Sequence, residues 1–78
     1  MEMEIVNNDY IVGLLYRIKC ENDINDEDIA KRLGMSRVTL NKRRKGKSEW
    51  KASELSVISE MTHVPVTNLL KEVSDGGD

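Results

Sequence analysis

Nine of the chain's twelve lysines and arginines fall in one stretch: Lys31, Arg32, Arg37, Lys42, Arg43, Arg44, Lys45, Lys47 and Lys51. Glu49 alone opposes them there, so residues 31–51 carry a net charge of +8. Cations at this density suit one kind of chemistry, the neutralisation of closely spaced phosphates. A solvated basic helix face is the plainer alternative, and the charge run does not by itself separate the two. Residues 1–30 are at −6 and residues 52–78 at −4, so the overall value of −2 averages away the most informative feature of the sequence.

Other reactive residues are sparse. His63 has no second histidine or cysteine at ligand spacing, so no metal is expected. Asp26-Glu27-Asp28 lacks the glycine-containing loop of a calcium site and reads as the acidic start of a helix. Cys20 cannot form an intramolecular disulfide, and near the end of an apolar helix face it reads as a small hydrophobe. A reducing, cytoplasmic setting is expected. There is no Ser–His–Asp arrangement and no phosphate-cradling glycine loop, so neither an enzyme nor a cofactor is expected. No apolar run reaches the ~20 residues of a membrane span, and the acidic opening Met1-Glu2-Met3-Glu4 is unlike a secretion signal.

The elements that must hold the basic stretch are helical. Ile11, Leu14, Leu15 and Ile18 fall at i, i+3, i+4, i+7 and predict a helix over about 9–20 behind Asn8-Asp9. Asn25 with Asp28 three residues later predicts a capped helix over 26–33, buried through Ile29, Ala30 and Leu33. Gly34 stands where a left-handed residue is wanted. Ser36 caps a third helix, about 37–45, which Gly46 stops. Leu40 is that helix's one clear apolar anchor, too little to hold it by burial alone. Trp50 pins the following connection to the core. Ser53 caps a fourth helix, about 54–62, and Val64-Pro65 leads into a fifth, about 66–73. The expected fold is all-α: an N-terminal extension at 1–8, a compact five-helix domain at 9–73 and a disordered tail at 74–78.

Gly34-Met35-Ser36 is too short to join two helices packed side by side and suits a sharp crossing, the mark of a helix-turn-helix. Ala30 lets the second helix approach closely. The segment Asp28-Ile29-Ala30-Lys31-Arg32-Leu33-Gly34-Met35-Ser36-Arg37-Val38-Thr39-Leu40 resembles the helix-turn-helix of the phage repressor and Cro type. That family's small residue, turn glycine, apolar turn residue, capping hydroxyl and buried aliphatic fall on Ala30, Gly34, Met35, Ser36 and Leu40. Glu54-Leu55 and Val64-Pro65-Val66 with Leu69-Leu70 match its C-terminal half. Gly46-Lys47-Ser48-Glu49-Trp50 and Ser53-Glu54-Leu55 also resemble small regulators of phages and prophages of Gram-positive bacteria.

The resemblance implies a lambda-repressor-like domain that binds double-stranded DNA as a transcriptional regulator, a repressor rather than an activator. Its recognition helix enters the major groove with Arg37, Val38, Thr39 and Lys42 at base edges. Arg37 suits guanine O6 and N7, worth ~1–3 kcal/mol of discrimination, and Val38 and Thr39 suit thymine methyls. Ser36, Asn41, Arg43, Arg44, Lys45 and Lys47 are the implied phosphate contacts. Relatives use a glutamine on the backbone where this chain has Asp26, a carboxylate that repels phosphate, and Asn25 is the candidate to replace it. The family also shows an apolar residue at one of two late positions in the helix, and here both Arg43 and Arg44 are basic. Either their aliphatic stems cover the core or the helix is less firmly docked. Specificity usually calls for a homodimer on half-sites ~34 Å apart, with Val66, Leu69, Leu70 and Val73 as the candidate face; ordinary core packing explains these residues equally well, and a different protein is the other candidate to cover them. The alternative is a protein-interaction module, an antirepressor or modulator that keeps the fold and binds a partner repressor protein.

Overall fold

The computed structural model describes residues 2–74 and runs β1(Glu2–Val6), α1(Asn8–Asn22), α2(Asp26–Leu33), α3(Arg37–Arg44), α4(Ala52–Thr62), a 3-10 turn at Val66–Leu69 and β2(Leu70–Ser74). It is mostly helical, with four α-helices rather than five. The expected fifth helix over 66–73 is replaced by the 3-10 turn and β2. β1 and β2 pair antiparallel, from Val6 opposite Leu70 to Glu2 opposite Ser74. Residues 2–6 are therefore part of the fold and not a loose extension. Ser74 belongs to β2, while the rest of the expected tail, 75–78, lies outside the described residues. The pairing gives the backbone of 70–74 partners in the opposite strand, which a one-turn continuation of helix could not supply from within. The Asn7 amide also donates to the Leu69 carbonyl at 2.8 Å, closing the junction between strand and helix.

Helix boundaries follow local side-chain chemistry. Asn7 rather than Asn8 caps α1, and Asp23 ends it in the left-handed region. Around α2 the Asp28 amide donates to Asn25 Oδ1 at 2.9 Å and the Asn25 amide to Asp28 Oδ2 at 3.1 Å, a reciprocal cap. Gly34 closes the helix at φ 71°, a conformation in which a Cβ would be strained. Ser36 Oγ accepts from the Thr39 amide at 3.1 Å and starts α3. The fourth helix begins earlier than Ser53 predicts. Lys51 is its cap residue, and the Lys51 amide donates to Glu54 Oε1 at 2.8 Å.

One core joins these elements. Ile11, Leu14, Leu15 and Ile18 of α1 meet Ile29, Ala30 and Leu33 of α2, Leu40 of α3, Leu55 and Ile58 of α4, and Trp50 and Leu69 from the connections. Ile11, Leu15, Ile29, Leu40, Ile58 and Leu69 are sealed from solvent. Met35, at the sharp turn, packs half-buried against this cluster, as the turn requires. Among the described residues no helix is long and apolar enough to cross a membrane.

Candidate nucleic-acid interface

With Leu40 its only fully buried apolar residue, α3 needs other means of attachment. They are polar and concentrate at its C-terminal end. Arg43, the other buried residue of α3, turns inward. Its Nε and Nη2 donate to Glu54 Oε1 and Oε2 at 2.9 and 3.1 Å, and Nη1 donates to Ser48 Oγ at 2.8 Å. Burial pushes the Glu54 carboxyl up, but hydrogen bonds from Arg43 and from the Lys51 amide outweigh it and hold the group below its ordinary value. The same pairing raises the Arg43 guanidinium above its own.

Arg44 is fastened to a different helix. Its Nη1 and Nη2 each reach one Asp26 oxygen at 3.1 Å, and Nη2 also donates to Asn41 Oδ1. Lys19 of α1 joins the same carboxylate at 2.8 Å. Hydrogen bonds from Arg44 first, then Lys19, lower the Asp26 carboxyl from 3.8 to about 2. The backbone of Arg44 is held as well. Asn8 Nδ2 donates to the Arg44 carbonyl at 2.9 Å, while Asn8 Oδ1 accepts from Trp50 Nε1 at 2.8 Å. Among the described residues no buried side-chain nitrogen or oxygen lacks a partner.

These anchors correct two expected phosphate contacts. Arg43 and Arg44 are held through their guanidinium groups in ion pairs with Glu54 and Asp26, and these pairs fasten this end of the helix. Asp26 is an anchor for α3 rather than a defect in a phosphate site. Asn41 is half-buried and occupied by Arg44, and the oxygens of Ser36 and Asn25 are engaged as helix caps.

The remainder of α3 faces outward. Arg37, Val38 and Lys42 are exposed, Val38 by 64%. Val38 and Lys42 lie one turn apart, and Lys45 extends the same stripe by another turn. Arg37, Lys42, Lys45 and Lys47 pair with no carboxylate among the described residues. Arg37 sits in a first turn that holds no acidic residue, where a cation opposes the helix dipole. Thr39 is set to one side of the stripe, half-buried, its hydroxyl accepting from Ser36 Oγ at 3.0 Å. Beyond the helix Gly46 takes φ 76° and the Lys47 amide donates to the Lys42 carbonyl at 2.9 Å, so Lys47 leaves the helix end exposed.

The expected dimer face is not a helix face. Leu69 is core, Leu70 is half-buried against it, Val66 is 37% exposed, and the side chain of Val73 lies outside the described residues. Cys20 is exposed rather than a small core hydrophobe. His63 caps α4 in the left-handed region, and no group of three metal-ligating side chains occurs among the described residues. The residues that sequence reasoning missed are the anchors Asn8, Lys19 and Glu54. Their signal was indirect: a helix too poor in apolar residues to dock by itself. Family models, curated proteins and solved structures give no significant match to this chain.

Proposed function

We propose that the protein binds double-stranded DNA through α3 and acts as a sequence-specific transcriptional regulator, a repressor of phage or prophage type on a lambda-repressor-like scaffold. One observation carries the reading. The helix after the sharp turn is clamped from behind by Arg43–Glu54 and Arg44–Asp26, and it turns Arg37, Val38, Lys42 and Lys45 outward with no carboxylate partner among the described residues. A valine 64% exposed among these cations buries little in this fold, whereas a major groove offers thymine methyls and guanine acceptors to such a stripe. Lys45 and Lys47 supply phosphate contacts at its far end. Arg37, Val38 and Lys42 are the proposed base contacts, with Thr39 in a lesser part because of its position. Recognition by one helix covers few base pairs, so the operator is expected to be two half-sites read by a homodimer.

Selection of binding sites from a random duplex pool tests this directly. The expected result is an enriched motif whose binding is lost in Arg37→Ala and Lys42→Ala while both variants remain folded. Absence of duplex binding even at low salt overturns it. The second reading, a cytoplasmic interaction module that binds a partner repressor protein, rests on the acidic remainder of the chain. The Arg43-Arg44 pair lends it no support, because both arginines have internal partners.

A further inference from the structure

The face of α1 turned away from the core is built around a glycine that the monomer does not use. Ile11, Leu14, Leu15 and Ile18 point inward, and Asp9, Tyr10, Gly13, Tyr16, Arg17 and Cys20 are all exposed. Gly13 stands at the centre of that outer face. A Cβ placed on it would meet nothing within 4 Å. Glycine weakens a helix interior relative to alanine, and nothing among the described residues approaches closely enough to require it. Such a residue is useful where the backbone of another helix must come near.

The residues around Gly13 specify which helix. Asp9 and Arg17 stand four positions to either side, about 6 Å along the axis and about 40° to opposite flanks. Tyr10 and Tyr16 stand three positions to either side, about 4.5 Å along the axis. A second copy of α1 crossing antiparallel at Gly13 therefore brings Asp9 and Tyr10 of one copy level with Tyr16 and Arg17 of the other, twice over. Carboxylate meets guanidinium, ring meets ring, and a guanidinium lies beside a tyrosine face. This is the self-complementarity that a two-fold interface demands. A parallel crossing would set Asp9 against Asp9 and Arg17 against Arg17. Tyr10 is 40% and Tyr16 66% exposed, so both have ring surface to bury. Among the described residues Arg17 is engaged only by an exposed contact to Glu21 at 3.6 Å, of the kind that contributes little.

We propose that the outer face of α1 is a homodimer interface, with two copies crossing antiparallel at Gly13 and paired through Asp9, Tyr10, Tyr16 and Arg17. The opposite side of α1 packs on α3 and α4, so this pairing leaves the outward stripe of α3 uncovered, and it does not depend on DNA binding. One helix face per copy places the interface at the small end of the size range, which implies weak, reversible association.

Sedimentation equilibrium of the whole chain without DNA, with thiols kept reduced, tests the proposal. Association in the micromolar to sub-millimolar range is expected, weakened about tenfold or more in Gly13→Leu. That side chain enters open space in the monomer, and circular dichroism should show an intact helical fold. Arg17→Asp should weaken association and Asp9→Arg/Arg17→Asp should restore it, because the double reversal rebuilds both pairs across the two-fold. A chain that stays monomeric to about 1 mM, a dimer indifferent to Gly13→Leu, or a double reversal that fails to restore association each overturns the interface.

Discussion

The two ends of α3 carry the same residue types and put them to opposite uses. At the C-terminal end Arg43 and Arg44 are buried or half-buried, and each meets a carboxylate through two nitrogens. At the N-terminal end Arg37 is exposed, in a turn whose dipole disfavours it. The difference lies in what the rest of the chain brings to each position. Glu54 reaches Arg43 from α4, Asp26 reaches Arg44 from α2, and no described carboxylate reaches Arg37. A run of cations therefore contains two populations, one that holds the helix and one that the helix displays. Arginine suits the first role because its planar fork matches a carboxylate bidentately.

Removing the holding population should have the largest effect. Arg43→Ala leaves Glu54 buried without its partner, at a cost of about 3–5 kcal/mol. That is a large share of the stability of a domain this small. Urea unfolding followed by circular dichroism measures it. A loss below about 1 kcal/mol, the range of an exposed pair, would erase the distinction between the two ends.

Asp26→Asn should cost less, about 1–2 kcal/mol, because the carboxylate is partly solvated and Lys19 and Arg44 can turn toward water. Its signature is the pH dependence. The Asp26 carboxyl is lowered in the folded protein from 3.8 to about 2, so its contribution is fully present above the ordinary value and is lost as pH falls toward 2. Glu54 is shifted in the same direction and adds to the same acid limb. Wild-type stability should fall between about pH 4 and pH 2, and more gently in Asp26→Asn. Identical acid limbs would remove Asp26 as an anchor.

The contrast also marks how far the sequence could be read. Local signals translated directly: the Asn25–Asp28 cap, Gly34, Ser36 and the i, i+3, i+4, i+7 face of α1 each act within a few residues, and each is found. What failed to translate was non-local. Arg43 and Glu54 are eleven residues apart and Arg44 and Asp26 eighteen, and no spacing rule links side chains on different helices. Residues 66–73 have the spacing of a helix, but β1 supplies backbone partners from the far end of the chain. Glu2-Met3-Glu4-Ile5 does alternate polar and apolar, the weak strand signal that an all-helical reading passed over.

The displayed population should be nearly silent in stability. Arg37→Ala and Lys42→Ala are expected to stay within about 0.5 kcal/mol of wild type, with Arg37→Ala slightly favourable because it removes a cation from the start of a helix. A loss above about 1 kcal/mol in either would show a holding role that the ion pairs do not reveal.

The smallest effect is also the sharpest discriminator, because it separates the two populations within one DNA titration. Were Arg43, Arg44, Lys45 and Lys47 all on phosphates, four contacts would give a slope of log K against log salt of about −3.6. Withdrawing Arg43 and Arg44 into internal pairs leaves Lys45 and Lys47, and the slope should be about −2. Lys47→Ala removes a displayed cation and should flatten it by about 0.9. Arg44→Ala, compared under conditions where circular dichroism shows it folded, should weaken the fold and leave the slope unchanged. A guanidinium already committed to Asp26 releases no counterion when DNA arrives. If Arg44→Ala instead flattens the slope as Lys47→Ala does, Arg44 leaves Asp26 to meet phosphate, and the holding and displayed roles are then two states of one residue.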